Sequence, residues 1–114
     1  MPNAPAVFDF EVNRRSTVPL EITFKTDGVP VNITGYTFAG SVFNKERTQN
    51  FGNFSVTYVN RSQGKLLFKL TPAQTEGFSL NELEYDIKYK QPNNDEFYLL
   101  EGTIFVSEGY TVIS

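Results

Sequence analysis

An all-β fold, an immunoglobulin-like antiparallel β-sandwich of about seven strands with one short helical turn, is what this 114-residue chain predicts. Three observations carry it. Apolar residues recur with period two wherever they occur, helical spacing is nearly absent, and clusters of Gly, Pro, Asn and Asp interrupt the alternating runs at short intervals.

Taken in order, the first run sets Phe8, Phe10 and Val12 opposite Asp9, Glu11 and Asn13, with Arg14-Arg15-Ser16 as its connection onward. From Thr17 to Lys25 the even positions Val18, Leu20, Ile22 and Phe24 form an apolar face, while Thr17, Pro19, Glu21, Thr23 and Lys25 face the other way. Pro19 has no ladder donor, which predicts a sheet edge or a bulge early in this strand. Asp27-Gly28 supplies the positive φ of a tight hairpin, and Pro30 again marks a sheet edge. Gly35 permits the backbone to bend before a strand that starts at Tyr36.

Tyr36 to Phe43 reads as a strand with Tyr36, Phe38 and Val42 inward, and Gly40 marks a bulge or a close backbone approach. The polar stretch Asn44 to Asn53 predicts an exposed loop or long hairpin end, with Phe51 its one conspicuous apolar residue. Phe54, Val56 and Tyr58 pair with Leu66, Phe68 and Leu70 as a hairpin across Asn60 to Gly64. Thr71-Pro72 combines a capping residue with proline at a first helical position, so Thr71 to Thr75 gives one helical turn bridging two sheets.

Leu83, Tyr85, Ile87 and Tyr89 alternate with Glu84, Asp86, Lys88 and Lys90 in the cleanest amphipathic strand, which Pro92 to Asp95 turns back. The last strand, Phe97 to Ser107, has Tyr98, Leu100, Gly102, Ile104 and Val106 on one face and Phe97, Leu99, Glu101, Thr103 and Phe105 on the other. Large apolar groups on both faces require either a bulge or contact with another chain, and assembly is the economical answer.

The length fits a single domain over residues 1–114, with its core at about 7–107, a short arm at 1–6 and a tail at 108–114. A hydrophobic share of 39% and an aromatic share of 15% supply enough apolar surface to offset chain entropy. The lack of Cys excludes disulfides and zinc-thiolate sites, and the lack of His removes the commonest general base and transition-metal ligand. A net charge of -3 and a pI near 4.9 oppose binding to a phosphate backbone, so no nucleic-acid partner is expected. No basic-then-apolar leader opens the chain and no apolar run reaches the roughly 18 residues of a membrane span, so no membrane association is expected. The acceptor-like triplets Asn32-Ile33-Thr34, Asn53-Phe54-Ser55 and Asn60-Arg61-Ser62 then read as polar turn residues.

Three segments in this order resemble a known family. Asp27 to Thr37 is similar to its "dG-x-P-(V/I)-(D/N)-(L/I)-T-G-Y-T" signature, and Gly64 to Thr75 to its "G-strand-(S/T)-x-x-Q-T" segment. Tyr85-Asp86-Ile87 with Leu100-Glu101-Gly102 is similar to its "Y-D-(I/L) … L-x-G" close, and Phe8, Phe10 and Arg14 lie near its opening "F-x-(I/V)-x-R-(G/N)". The family is the immunoglobulin-like module of tailed-bacteriophage virion structural proteins, similar to the N-terminal domain of phage baseplate upper proteins. The resemblance runs from about Phe8 to Thr111. It departs where Arg15 replaces the usual glycine, and it implies a free-standing version of the module.

Glu84 and Asp86 share a strand face and could form a paired-carboxylate acid and base, but they continue into Lys88 and Lys90 as a charge-mixed, solvated face. The resemblance makes Asp86 structural, and a hydrogen bond to a neighbouring backbone amide accounts for it. Asn93-Asn94-Asp95-Glu96 offers oxygens of the kind calcium takes, yet lacks EF-hand spacing and reads as a turn. Arg14-Arg15 could clamp an anion, although adjacent strand-end residues point to opposite sides. No catalytic, cofactor or metal site is therefore expected.

Phe97, Leu99, Phe105, Tyr110, Val112 and Ile113 are the expected interface residues, and Asp27, Gly28, Pro30, Gly35 and Asp86 the expected structural-turn residues. The resemblance implies a non-enzymatic virion structural protein, made in the host cytoplasm, that acts as an assembly or adaptor module in the tail, baseplate or neck. Its partners are then other virion proteins, including copies of itself. A capsid decoration protein on the phage head is the alternative in the same class. A carbohydrate-binding module for the host surface is the alternative in another, opposed by the absence of Trp and of an evident row of coplanar Tyr.

Overall fold

Alternating side chains fold this chain into two facing sheets because each strand has one apolar row to bury. A computed structural model describes residues 6–108. The strands are β1 (Ala6–Val7), β2 (Phe10–Asn13), β3 (Val18–Thr23), β4 (Lys25–Thr26), β5 (Val29–Pro30), β6 (Thr37–Phe43), β7 (Asn50–Asn53), β8 (Ser55–Asn60), β9 (Lys65–Leu70), β10 (Glu82–Lys90) and β11 (Glu96–Ser107). A 3-10 turn (Arg61–Gln63) joins β8 to β9, and helix α1 (Pro72–Glu76) joins β9 to β10.

One sheet runs β1-β11-β10-β6-β7, with β2 also on β11; the facing sheet runs β3-β9-β8, and β4-β5 is a separate ribbon. This is an all-β sandwich whose order follows the variable-type immunoglobulin arrangement with two differences, a single added strand (β7) beside β6 where that type has two, and the placement of the first strand. β1 and β2 lie parallel to β11 and do not pair with β3.

The turns follow their residues. Asp27 and Gly28 take φ of 51° and 78°, the paired positive values of a type I′ hairpin. Pro30 sits opposite Lys25 in the short ribbon, and Pro19 lies on β3 at the edge of its sheet. Gly35 takes φ of 86°, with Pro92 close on the side where a Cβ would stand. Gly40 is a close approach and not a bulge: a Cβ there would lie 2.8 Å from the Phe54 ring and 3.1 Å from Ile87. The stretch from Asn44 to Asn53 is a long hairpin end whose return limb, β7, pairs with β6. At α1 the Thr71 hydroxyl accepts from the Gln74 amide at 3.2 Å, and Gln74 Oε1 accepts from the Thr71 amide at 2.8 Å, a reciprocal cap.

Two strands depart from simple alternation. The first kinks at Phe8-Asp9, so Val12 is buried while Phe8 is 47% exposed. At the kink the Asp9 carboxylate accepts the Thr103 amide at 2.8 Å, and the Phe8 carbonyl accepts the Tyr85 hydroxyl at 2.5 Å. The second is β11, where Ile87 pairs with Leu100 but Lys88 pairs with Tyr98, leaving Leu99 as the extra residue of a bulge. The bulge exchanges faces along the strand. Phe97 therefore stands opposite inward-facing Tyr89, and Leu99 packs against the core. Among the large apolar groups of β11, only Tyr98 and Phe105 are left exposed. The regular two-faced strand is corrected accordingly, and the bulge supplies the answer for Phe97 and Leu99.

The core is continuous across both sheets. Phe38, Phe54, Phe68 and Tyr85 interlock edge to face, with Leu66, Leu70, Leu83, Ile87 and Ile104 filling between them. Gly102 admits the first strand to this assembly, because a Cβ built there would lie 2.0 Å from the Phe8 carbonyl oxygen. Gly102→Ala is expected to destabilise the domain by about 2 kcal/mol or more, since the clash is with backbone. Gly77→Ala, whose nearest neighbour is 3.4 Å away, is expected to stay within about 0.5 kcal/mol. Chemical denaturation of the two variants checks both.

Candidate functional site

Arg14, Arg15, Arg47 and Lys88 are ion-paired with Glu108, Glu84, Asp86 and Glu96, and the carboxylates that share a strand face are held by a cation. Arg47 bonds Asp86 at 2.8 Å and Glu84 at 3.4 Å, so both carboxylates of that strand face answer to one guanidinium. Asp86 therefore lies mid-strand and not in a turn, and its partner is Arg47. β10 is paired on both sides, by β6 and β11, so no neighbouring backbone amide is left for Asp86 to take. Lys88 meets Glu96 at 2.8 Å and holds its carboxyl below the usual carboxylate range. Asn93 to Asp95 close a turn on themselves, with the Asp95 amide donating to Asn93 Oδ1 at 3.0 Å. Among the described residues no group of three His, Cys, Asp or Glu is placed to hold a metal.

Arg14 and Arg15 do not diverge. Arg15 takes φ of 64°, the left-handed region, and this turn delivers both guanidiniums to Glu108 at 2.5 Å and 3.3 Å. Arg14 also donates to the carbonyls of Phe78 and Leu80. The hydrogen bond from Arg14, with the charge of both arginines, lowers the Glu108 carboxyl pKa.

The clearest surface feature is the flank between β2 and β3. Two hollows of about 450 Å³ and about 410 Å³ adjoin at Phe8 and Leu20 along a groove in this flank. Its walls are Val7, Phe8, Leu20, Ile22, Leu99 and Leu100, with Val7 69% exposed. Among the described residues, β3 pairs with β9 on one side and with no strand on the other. The Phe24 amide donates to Gly64 at 2.7 Å, which sets the even-numbered amides toward β9. By alternation the amides of Glu21 and Thr23 point into the open flank, and Pro19 has none to offer. Sequence reasoning marked Pro19 as an edge residue but placed Phe8 in the core, and so did not find the groove.

A second hollow, of about 520 Å³, opens at the end of the sandwich beside the β4-β5 ribbon. Tyr36, Tyr89 and Phe97 stand in a row there, with centroids 6.1 Å and 5.7 Å apart and planes inclined by 20° and 38°. Phe24 meets Tyr36 and Tyr89 edge-on, and Lys25, Asp27 and Gln91 form a polar rim. Burial, and then the nearby Tyr36, raise the Tyr89 hydroxyl pKa.

Of the expected interface residues, Phe97 lines this hollow from the inner face and Leu99 touches both it and the flank. Phe105 is exposed on the outer face opposite Glu82. Tyr110, Val112 and Ile113 lie outside the described residues. No protein-family model matches the chain, and no curated protein matches it.

Burial, and then the charge of Asp9, push the Tyr85 hydroxyl well above its ordinary value of about 10. The folded state keeps this proton, so the stability it contributes is fully present below about pH 10 and is lost as pH rises toward the folded value. Tyr85→Phe should cost about 1–3 kcal/mol at neutral pH by orphaning the Phe8 carbonyl, and should flatten the alkaline limb of a pH–stability curve. Arg15→Gly removes a left-handed backbone cost of about 1 kcal/mol together with one arm of an exposed clasp. Its melting temperature should equal or exceed that of the parent.

Proposed function

We propose that the chain is a non-enzymatic structural protein of a tailed-bacteriophage virion, an assembly or adaptor module of the tail, baseplate or neck. The observation that carries the reading is the flank where, among the described residues, a strand edge without a partner and an apolar groove lie side by side. Such a surface gains by joining another chain. The resemblance adds support, because its signature positions have backbone duties here: Asp27, Gly28 and Gly35 at positive φ, and Gly102 under the first strand. The ion-paired carboxylates at Glu84 and Asp86 also fit a scaffold better than an acid–base centre.

Antibody labelling of purified particles and particle reconstruction should place the protein at the tail, baseplate or neck. Density on the head lattice would make it a decoration protein instead, and absence from particles would overturn the reading. The aromatic hollow favours one reading of another class, a carbohydrate module, since ring faces with a carboxylate and an amide at the rim suit a sugar. On an array of host-surface glycans, the assembly reading expects no saturable binding by the isolated chain. Binding that Tyr36→Ala abolishes would reverse the order of the two.

A further inference from the structure

The flank between β2 and β3 is short of one strand. In a constant-type sandwich the first strand lies beside the strand that corresponds to β3. In this chain it is committed to β11, with Ala6 and Val7 opposite Leu100 and Glu101, and Phe10 to Asn13 opposite Ile104 to Ser107. Among the described residues, β3 is left with outward amides at Glu21 and Thr23 beside exposed Val7 and Phe8 and half-buried Leu20 and Ile22. The chemical complement of such a site is an extended segment whose amides and carbonyls continue the β3 ladder and whose alternate side chains are apolar.

The sequence carries a segment of this kind directly after the described residues. Tyr110-Thr111-Val112-Ile113 puts Tyr110 and Val112 on one face of an extended chain. At about 3.3 Å per residue, residues 109–114 extend to about 20 Å, the length of a strand such as β3 with its 6 residues. The segment's point of departure is fixed, because Arg14 and Arg15 hold Glu108 at the turn that joins β2 to β3. There its own flank offers it the Pro19 end, which has no donor, and β2 lies between the foot of β11 and β3. The donor-bearing end at Glu21 and Thr23 is open to a chain arriving from outside.

We propose that residues 109–114 of one copy add as a strand to the free edge of β3 in a neighbouring copy, seating Tyr110 and Val112 in the groove. This rests on the assembly reading above. The contact joins two different surfaces, so it repeats head to tail and generates a ring or a filament, not a closed two-fold pair.

The test uses the full chain, whose lack of cysteine permits a single nitroxide at Ser114→Cys. Spin-labelled unlabelled-nitrogen chains are mixed with nitrogen-15 chains that carry no nitroxide. The expected result is broadening of the Val7, Phe8, Glu21 and Thr23 amides in the nitrogen-15 copy, with Thr57 on β8 unaffected. Val112→Asp should weaken the association tenfold or more, and Phe105→Ser on the outer face should leave it unchanged. Broadening seen only when label and nitrogen-15 share one molecule at high dilution would mean that the tail covers its own groove, and would overturn the proposal. So would the absence of broadening in a chain that is nevertheless found in particles, which leaves the assembly reading standing. Absence from particles overturns that reading itself.

Discussion

The seating of the Phe8 carbonyl over Gly102 is the constraint from which the rest of the architecture follows. With no Cβ in the way, the first strand lies directly on β11, and the Tyr85 hydroxyl rises from the core to hold that carbonyl. The Asp9 carboxylate takes the amide that the kink leaves unpaired. A strand fixed there cannot also lie beside β3, so one contact determines which sheet is extended and which edge stays open.

The two sheets are joined at either end by different means. At one end the reciprocal cap of α1 turns the chain between sheets, and the buried Thr75 hydroxyl ties that corner to the backbone of Ser16. At the other, Phe24 reaches across edge-on to Tyr36, Phe38 and Tyr89. Exposed ion pairs such as Lys88 with Glu96 contribute little beside these contacts, because solvent screens them. Apolar interlock and satisfied backbone hold this sandwich together.

Period-two alternation made most strands legible, since β3, β6, β9 and β10 each bury one row as their residues alternate. Turn chemistry was equally readable at Asp27-Gly28, Gly35 and Thr71-Pro72, where a single residue type meets a single backbone need. What escaped were positions where two distant segments decide together. The kink at Phe8 depends on Gly102, and the bulge at Leu99 depends on the register with Ile87 and Lys88. Arg15 hid its turn by occupying a backbone region that sequence rules reserve for glycine. The candidate site was half visible for the same reason: Pro19 announced an edge, but only the pairing of the first strand with β11 shows that the edge has no neighbour among the described residues.

That pairing also orders events during synthesis. Residues 6–13 take their partners from residues 100–107, so the earliest described strands to leave the ribosome wait for the last. Until β11 emerges, the side chains of Phe10 and Val12 have no ladder to bring them to the core. Domain closure thus waits for the last described strand and is a step of high contact order, slower than the local β8-β9 and β10-β11 hairpins. A nascent chain stalled before β11 would present its N-terminal apolar residues to chaperones, and the emergence of β11 is what withdraws them.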